Sequence, residues 1–172
     1  GADIIDLGAA SSKPGSILIK PEDEFNLIYN YINELTSNFS KVLFSIDTYN
    51  SSVADFALSK GFSLVNDISS GKYDKNMFQV IKKHNAGYIM MHMKGDPINM
   101  QENINYDNVV DSIISFFKLK IQELEKLGFS NIIIDPGFGF GKSIDDNYEI
   151  LKNLKKFKKL ERPIMAGLSR KS

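Results

Sequence analysis

The sequence predicts an α/β fold with a parallel sheet, best fitted as part of a (β/α)8 barrel present as about six βα units. Three observations predict it. Short runs rich in Ile, Val, Leu and Phe alternate with longer amphipathic stretches. Runs such as Ile132-Ile133-Ile134 are apolar without alternation, as strands covered on both faces are. Each run stops in a polar or glycine-rich segment, and parallel folds place ligands at such carboxyl ends. A whole barrel needs at least about 200 residues, so 172 residues fit one lacking part of each end. A small, open, doubly wound sheet is the alternative.

A first strand is expected at 3–7, running into Ser11-Ser12-Lys13-Pro14-Gly15. Phe25, Ile28, Ile32 and Leu35 then recur at helical spacing. The second strand, 41–46, ends Ser45-Ile46-Asp47-Thr48, with a short helix at 50–60. The third, 62–66, ends Val65-Asn66-Asp67, with a helix at 74–85. The fourth, 87–92, ends Met91-His92-Met93-Lys94-Gly95. Val110, Ile113, Phe117, Ile121, Leu124 and Leu127 mark the long helix after it. The fifth, 131–135, runs into Asp135-Pro136-Gly137-Phe138-Gly139-Phe140-Gly141-Lys142, with a helix at 146–157. The sixth, 163–168, leads into Ser169-Arg170-Lys171. The lysines within 152–159 have the spacing of a solvated helix face.

Composition narrows the function. Residues 1–172 read as one domain, 42% hydrophobic and 24% charged, an ordinary globular balance. Formal net charge is zero, 21 basic against 21 acidic. That lowers the expectation of a nucleic-acid or membrane-surface partner. No run approaches the roughly 18 apolar residues of a membrane span. There is no cysteine, hence no disulfide, thiolate metal site or Cys nucleophile. The chain starts at Gly1 without a signal-peptide pattern, and both ends read as cut inside a fold.

The strand ends carry the chemistry. Singly, Asp47 or Thr48 could cap the next helix, and Asn66 and Asp67 could serve a turn. Together, Asp47, Asn66, Asp135 and Lys171 would ring one mouth of a barrel. Two carboxylates, an amide and an ammonium suit a flat, nitrogen-rich heterocycle bearing an amino group and a carbonyl. The glycine stretch imitates two nucleotide motifs without completing either. It is G-x-G-x-G rather than the dinucleotide fingerprint, and Pro136 stands where a P-loop before Gly141-Lys142-Ser143 needs glycine. Its glycines suit sharp turns and close approach to a ligand, with Phe138 and Phe140 as flat faces for a ring or as plugs of the rim. His84 and His92 have no metal-ligand spacing; His84 is expected on a helix surface and His92 in strand-end packing.

The segments ADIIDLGAASSKPG (2–15), SIDT (45–48), VNDISSG (65–71), MHMKGDPINMQ (91–101), DPGFGFGK (135–142) and GLSRKS (167–172) occur in this order. The chain thereby resembles the dihydropteroate synthase family of folate biosynthesis. The resemblance implies a (β/α)8 TIM barrel in a cytoplasmic, bacterial, sulfonamide-targeted transferase. It joins 4-aminobenzoate to 6-hydroxymethyl-7,8-dihydropterin pyrophosphate, giving dihydropteroate and pyrophosphate. Asp47, Asn66, Asp135 and Lys171 match the residues that hold the pterin, with Phe140 near its ring. Of these, Asp47, Asp135 and Lys171 are the expected catalytic residues. Ser12, where the family usually has Thr, and Lys13, where it usually has Arg, match the loop on the aminobenzoate or pyrophosphate side. Ser172 falls near the pyrophosphate pocket. Lys13 keeps the charge but lacks the bidentate fork of a guanidinium.

The resemblance further implies Mg2+, carried through the substrate pyrophosphate and an Asn of a first loop that this chain lacks, with no metal ligand in the chain itself. A last unit with an Arg-x-His clamp is likewise outside it. The partners implied are the two small substrates, with a homodimer open and no nucleic acid or membrane. In the implied mechanism pyrophosphate leaves, a pterin cation forms beside Asp47 and Asp135, and the aromatic amine attacks. Two rival readings remain at this point. One is a pterin-binding methyltransferase domain acting from methyl-tetrahydrofolate. The other is a catalytically silent pterin-binding paralogue.

Overall fold

The computed structural model describes residues 1–11, 15–100 and 104–168. The expected site residues Ser12, Lys13, Lys171 and Ser172 lie outside the described residues. Five strands, β1 (Ile4–Gly8), β2 (Leu43–Asp47), β3 (Leu64–Asp67), β4 (Gly87–Met91) and β5 (Ile132–Asp135), pair in parallel in chain order. They alternate with α1 (Pro21–Asn38), α2 (Ser51–Ser59), α3 (Met77–His84), α4 (Val109–Lys126) and α5 (Ile144–Lys152), and a 3-10 segment, Leu154–Leu160, follows. This order separates the two candidate architectures. A doubly wound sheet reverses direction at a switch point, whereas here every strand adds to the same edge, as around a barrel wall.

Strand pleating sorts the side chains. Phe44, Ile46, Val65, Tyr88, Met90, Ile132 and Ile134 face the helices, and all join one core with Ile28, Ile32, Val53, Ile113 and Phe117. The register puts Asp6, Ser45, Asp47, Asn66, Ile89, Met91, Ile133 and Asp135 on the opposite, inner face. A smaller cluster of Tyr49, Ile68 and Met91, with Phe140 and Tyr73 against it, lies at the carboxyl ends of the strands. The helices form where their termini are chemically satisfied. Pro21 opens α1 with Glu22, Asp23 and Glu24 in its first turn, which suits the positive end of the helix dipole. Asn108 caps α4, and Ser143 with Asp146 makes a reciprocal capping box on α5. Ser143→Ala removes the acceptor for the Asp146 N–H and is expected to cost about 1 kcal/mol. Thermal unfolding checks it, and an unchanged midpoint would show that the cap contributes nothing.

Three elements differ from the sequence reading. The sixth strand shrinks to one bridge, Ile134 with Ile164. The Ile134 N–H donates to Pro163 and the Met165 N–H to Ile134. The next rung would need an N–H from residue 136, and Pro136 has none. The helix expected at 146–157 starts at its cap and changes to 3-10 geometry after Asn153, whose side chain donates to the Glu149 carbonyl. The helix expected from 74 starts at Met77, because the Asp74 side chain accepts from Asn76 N–H and Ser51 N–H, making a turn rather than a helical start. Among the described residues no helix is long and apolar enough to cross a membrane.

Candidate active site

Asp47 ends β2, with Gly8 as its register partner on one side and Asn66 on the other. The three form one row across the inner face. Gly8 supplies the room: a Cβ there would fall 2.9 Å from the Asp47 Cβ. Asp6 lies one row below, level with Ser45. Its Oδ2 accepts the Asn66 Nδ2–H at 2.9 Å. Asp135 ends β5 opposite Met91 and shares the inner face by register. Asp47, Asn66 and Asp135 thus converge as the sequence suggested. Asp6 was missed; a carboxylate inside the apolar run Ile4–Leu7 was the available signal.

The electrostatics of the row are set by like charges. Burial, then the carboxylates of Asp6, Glu24 and Asp67, push Asp47 up to about 7. Burial also raises Asp135, against the Gly137 N–H it accepts at 2.8 Å and the Lys142 charge, which both lower it. Folded Asp47 therefore keeps a proton that the unfolded chain gives up. Unfolding releases it between about pH 4 and pH 7, so stability falls as pH rises through that window. Asp47→Asn removes the penalty. We expect the variant to be more stable than wild type at pH 8 by about 1–3 kcal/mol, after allowance for partial exposure, and close to it at pH 4. Unfolding midpoints at the two pH values decide this, and an equal difference at both would overturn it.

Several polar groups near the row have structural work, which corrects the single-residue readings. Asp47 caps no helix among those described. Thr48 Oγ1 accepts from Asn50 N–H and donates to Glu24, and Asn50 Nδ2 donates to the same carboxylate. Glu24, fully buried on α1, thus ties that helix to the loop beyond Asp47. Burial raises its pKa above the usual range despite those two bonds. Asp67, unlike Asn66, does serve a turn: it accepts from Ser69 N–H and Gly71 N–H and takes the Tyr88 hydroxyl on the helix side.

The glycine stretch is neither nucleotide motif. Gly137 and Gly141 have φ of +72° and +62°, and a Cβ would fall 2.1 Å from the His92 carbonyl oxygen or 2.4 Å from that of Lys94. The loops after β4 and β5 therefore touch backbone to backbone. Lys142, buried, clasps them by donating to the carbonyls of His92 (3.0 Å) and Phe140 (2.9 Å). Burial brings its ammonium down to about 7, although Asp135 and Asp146 pull the other way. This role was not legible from sequence. Phe140 packs against the small cluster at the mouth, whereas Phe138, partly buried, packs against the main core. His92 is buried edge-on to Phe116 with Nδ1 unpartnered, and burial drops it to about 3, so it stays neutral. His84, half-buried at the end of α3, meets Asp55 at 2.6 Å.

This geometry has known relatives. A family profile described as "Pterin binding enzyme" matches residues 1–172. The chain belongs to the pterin-binding enzyme family. Among curated members, it is 40% identical to the bifunctional dihydropteroate synthase/dihydropteroate reductase of Helicobacter pylori, covering 100% of this chain and 46% of that protein. It is 38% identical to the dihydropteroate synthase of Clostridium beijerinckii, covering 100% of this chain and 62% of the relative. The chain thus spans about half to three-fifths of these pterin-binding relatives. Among solved structures, dihydropteroate synthase from Yersinia pestis with a sulfonamide drug superposes at a TM-score of 0.94, with 32% identity over 99% of this chain and 62% of that one. The Anaplasma phagocytophilum enzyme, with bound 6-hydroxymethylpterin-monophosphate, gives 0.92 and 34% over 100% and 70%. The described five-stranded sheet is accordingly part of the wall of a (β/α)8 barrel.

Proposed function

We propose that the full-length protein is a dihydropteroate synthase. In this reading it transfers the methylene-linked pterin of 6-hydroxymethyl-7,8-dihydropterin pyrophosphate to the amine of 4-aminobenzoate. The observation that carries the proposal is the inner-face set of Asp47, Asn66 and Asp135 at the carboxyl ends of three strands, in a member of this family. A pterin ring presents N–H and NH2 donors to the carboxylates, and the amide both donates and accepts. Phe140 and Met91 supply an apolar edge for its face.

The reaction breaks the C–O bond to pyrophosphate, whose oxygen leaves with the electron pair. The amine nitrogen then forms the C–N bond and loses a proton to solvent. Positive charge develops on the ring between these steps. Asp47 is crowded by carboxylates and poised near neutrality. A cationic ring gives it the missing opposite charge and favours its ionised form. The pocket therefore binds the developing cation better than the neutral substrate, which lowers the barrier. Lys171 as an orienting group, and Ser12, Lys13 and Ser172 on the aminobenzoate and pyrophosphate side, belong to the same proposal. So does Mg2+ on the pyrophosphate. Among the described residues no group of three or more His, Cys, Asp or Glu side chains is placed to hold a metal ion.

The test supplies both substrates to the full-length protein and follows pyrophosphate. Release that requires 4-aminobenzoate, with dihydropteroate formed in equal amount, supports the reading. Pterin binding without release would overturn it in favour of a silent paralogue. Methyl transfer from methyl-tetrahydrofolate would overturn it in favour of a methyltransferase.

A further inference from the structure

We propose that Asp6 is a positioning residue of the pterin pocket, which sets the orientation of the Asn66 amide from the row below and so fixes what that amide offers to a ligand. The inference rests on the pterin reading of the site and deepens it. Asp6 and Asn66 are 60 residues apart in sequence and on strands that do not pair with each other, since β2 lies between them. The contact exists because inward side chains of β1 and β3 meet across the concave face, reaching past Ser45 on β2.

The chemistry leaves one orientation. The Asn66 nitrogen faces the Asp6 carboxyl oxygen at 2.9 Å, with the amide as donor and the carboxyl oxygen as acceptor. A reversed amide would set two oxygens together and leave a donor unused. Asn66 Oδ1 and the second Nδ2 hydrogen are then directed away from Asp6, free for a ligand. An isolated asparagine can present either atom at either place. Held by Asp6 it presents an acceptor at a fixed position, which selects a ligand carrying a ring N–H or amino donor there. Preorganisation of this kind removes the cost of ordering the side chain on binding.

Asp6 has a second effect through charge. Asp47 is faced by Asp6 from β1, by Glu24 from α1 and by Asp67 from the end of β3, and all three oppose its ionisation. Removing one of them lowers the pH at which Asp47 ionises. This gives a readout that a merely structural role for Asp6 would not move.

The experiment is a thermodynamic cycle in the full-length protein, read by calorimetric titration with 6-hydroxymethylpterin-monophosphate. Asp6→Ala should weaken pterin binding about 10- to 100-fold, and Asn66→Ala by a similar factor. The double variant should be no weaker than Asn66→Ala alone, because Asp6 acts through Asn66. The KM for 4-aminobenzoate should stay within about twofold in Asp6→Ala. Asp6→Asn, nearly isosteric, guards against a folding defect. It keeps an acceptor and should lose less than about tenfold, while moving the acid limb of pterin binding down by about half a pH unit or more. Additive losses in the cycle, or full affinity in Asp6→Ala, would overturn the inference. So would an unmoved acid limb in Asp6→Asn. Wild-type protein that binds no pterin would instead overturn the functional reading beneath it.

Discussion

Asp135→Asn should lower the affinity of the full-length protein for a pterin by about ten- to more than a hundredfold. A lost hydrogen bond to a charged group costs about 1.5–3 kcal/mol, and each 1.4 kcal/mol is a factor of ten. The substitution is informative because asparagine keeps an oxygen for the Gly137 N–H that Asp135 now accepts. The loop beyond β5 therefore keeps its anchor, and the loss falls on the ligand. Calorimetric titration measures it directly, with thermal unfolding as the control for folding. Wild-type affinity would remove Asp135 from the site and leave Asp47 and Asn66 without their partner across the mouth.

Gly137→Ala should destabilise the protein strongly, because among the glycines compared its added carbon makes the closest approach. Left-handed backbone costs a non-glycine residue roughly 1–2 kcal/mol. At Gly137 the added carbon would also lie 2.1 Å from the His92 carbonyl oxygen, which is backbone and cannot rotate away. A loss of about 3 kcal/mol or more is expected. Gly61→Ala is the matched comparison, because Gly61 also has a positive φ, +109°, yet open space where the carbon would go. Chemical denaturation of both variants separates strain from collision. Equal losses would mean that the two loops slide apart without cost.

The parts of this site legible in the sequence were those carried by one short segment. A strand that stops at Asp47, Asn66 or Asp135 announces itself, because the apolar run ends and the polar group sits at the end that parallel folds use. The order of the sheet was not legible in the same way. Barrel and doubly wound arrangements share the same local alternation and differ only in which edge the next strand joins. Asp6 escaped because its role is made by register between β1, β2 and β3, which no local pattern encodes. Glu24 is one of three acids in the first turn of α1, which nothing local singles out, and only burial beside Thr48 and Asn50 gives it another role. Lys142 stood in a glycine stretch that imitated a P-loop without completing it, and the sequence offered no other role for it. Its ammonium is spent on two carbonyls instead. The sixth strand was overestimated because Ile164-Met165-Ala166 has strand composition, while the obstacle, Pro136, sits on the neighbouring strand's exit.

The Lys142 clasp also divides the protein by its response to ionic strength. The exposed pairs Lys83–Asp55, between α3 and α2, and Lys72–Asp96, between the loops after β3 and β4, stand in water, where dissolved salt screens them over a few ångströms to about ten. Lys142 is 3% exposed and is held by the dipoles of two peptide carbonyls, out of reach of mobile ions. Concentrated salt should therefore loosen α3 against α2 and the loop after β3 against the loop after β4, while the Lys142 clasp between the loops after β4 and β5 keeps its hold.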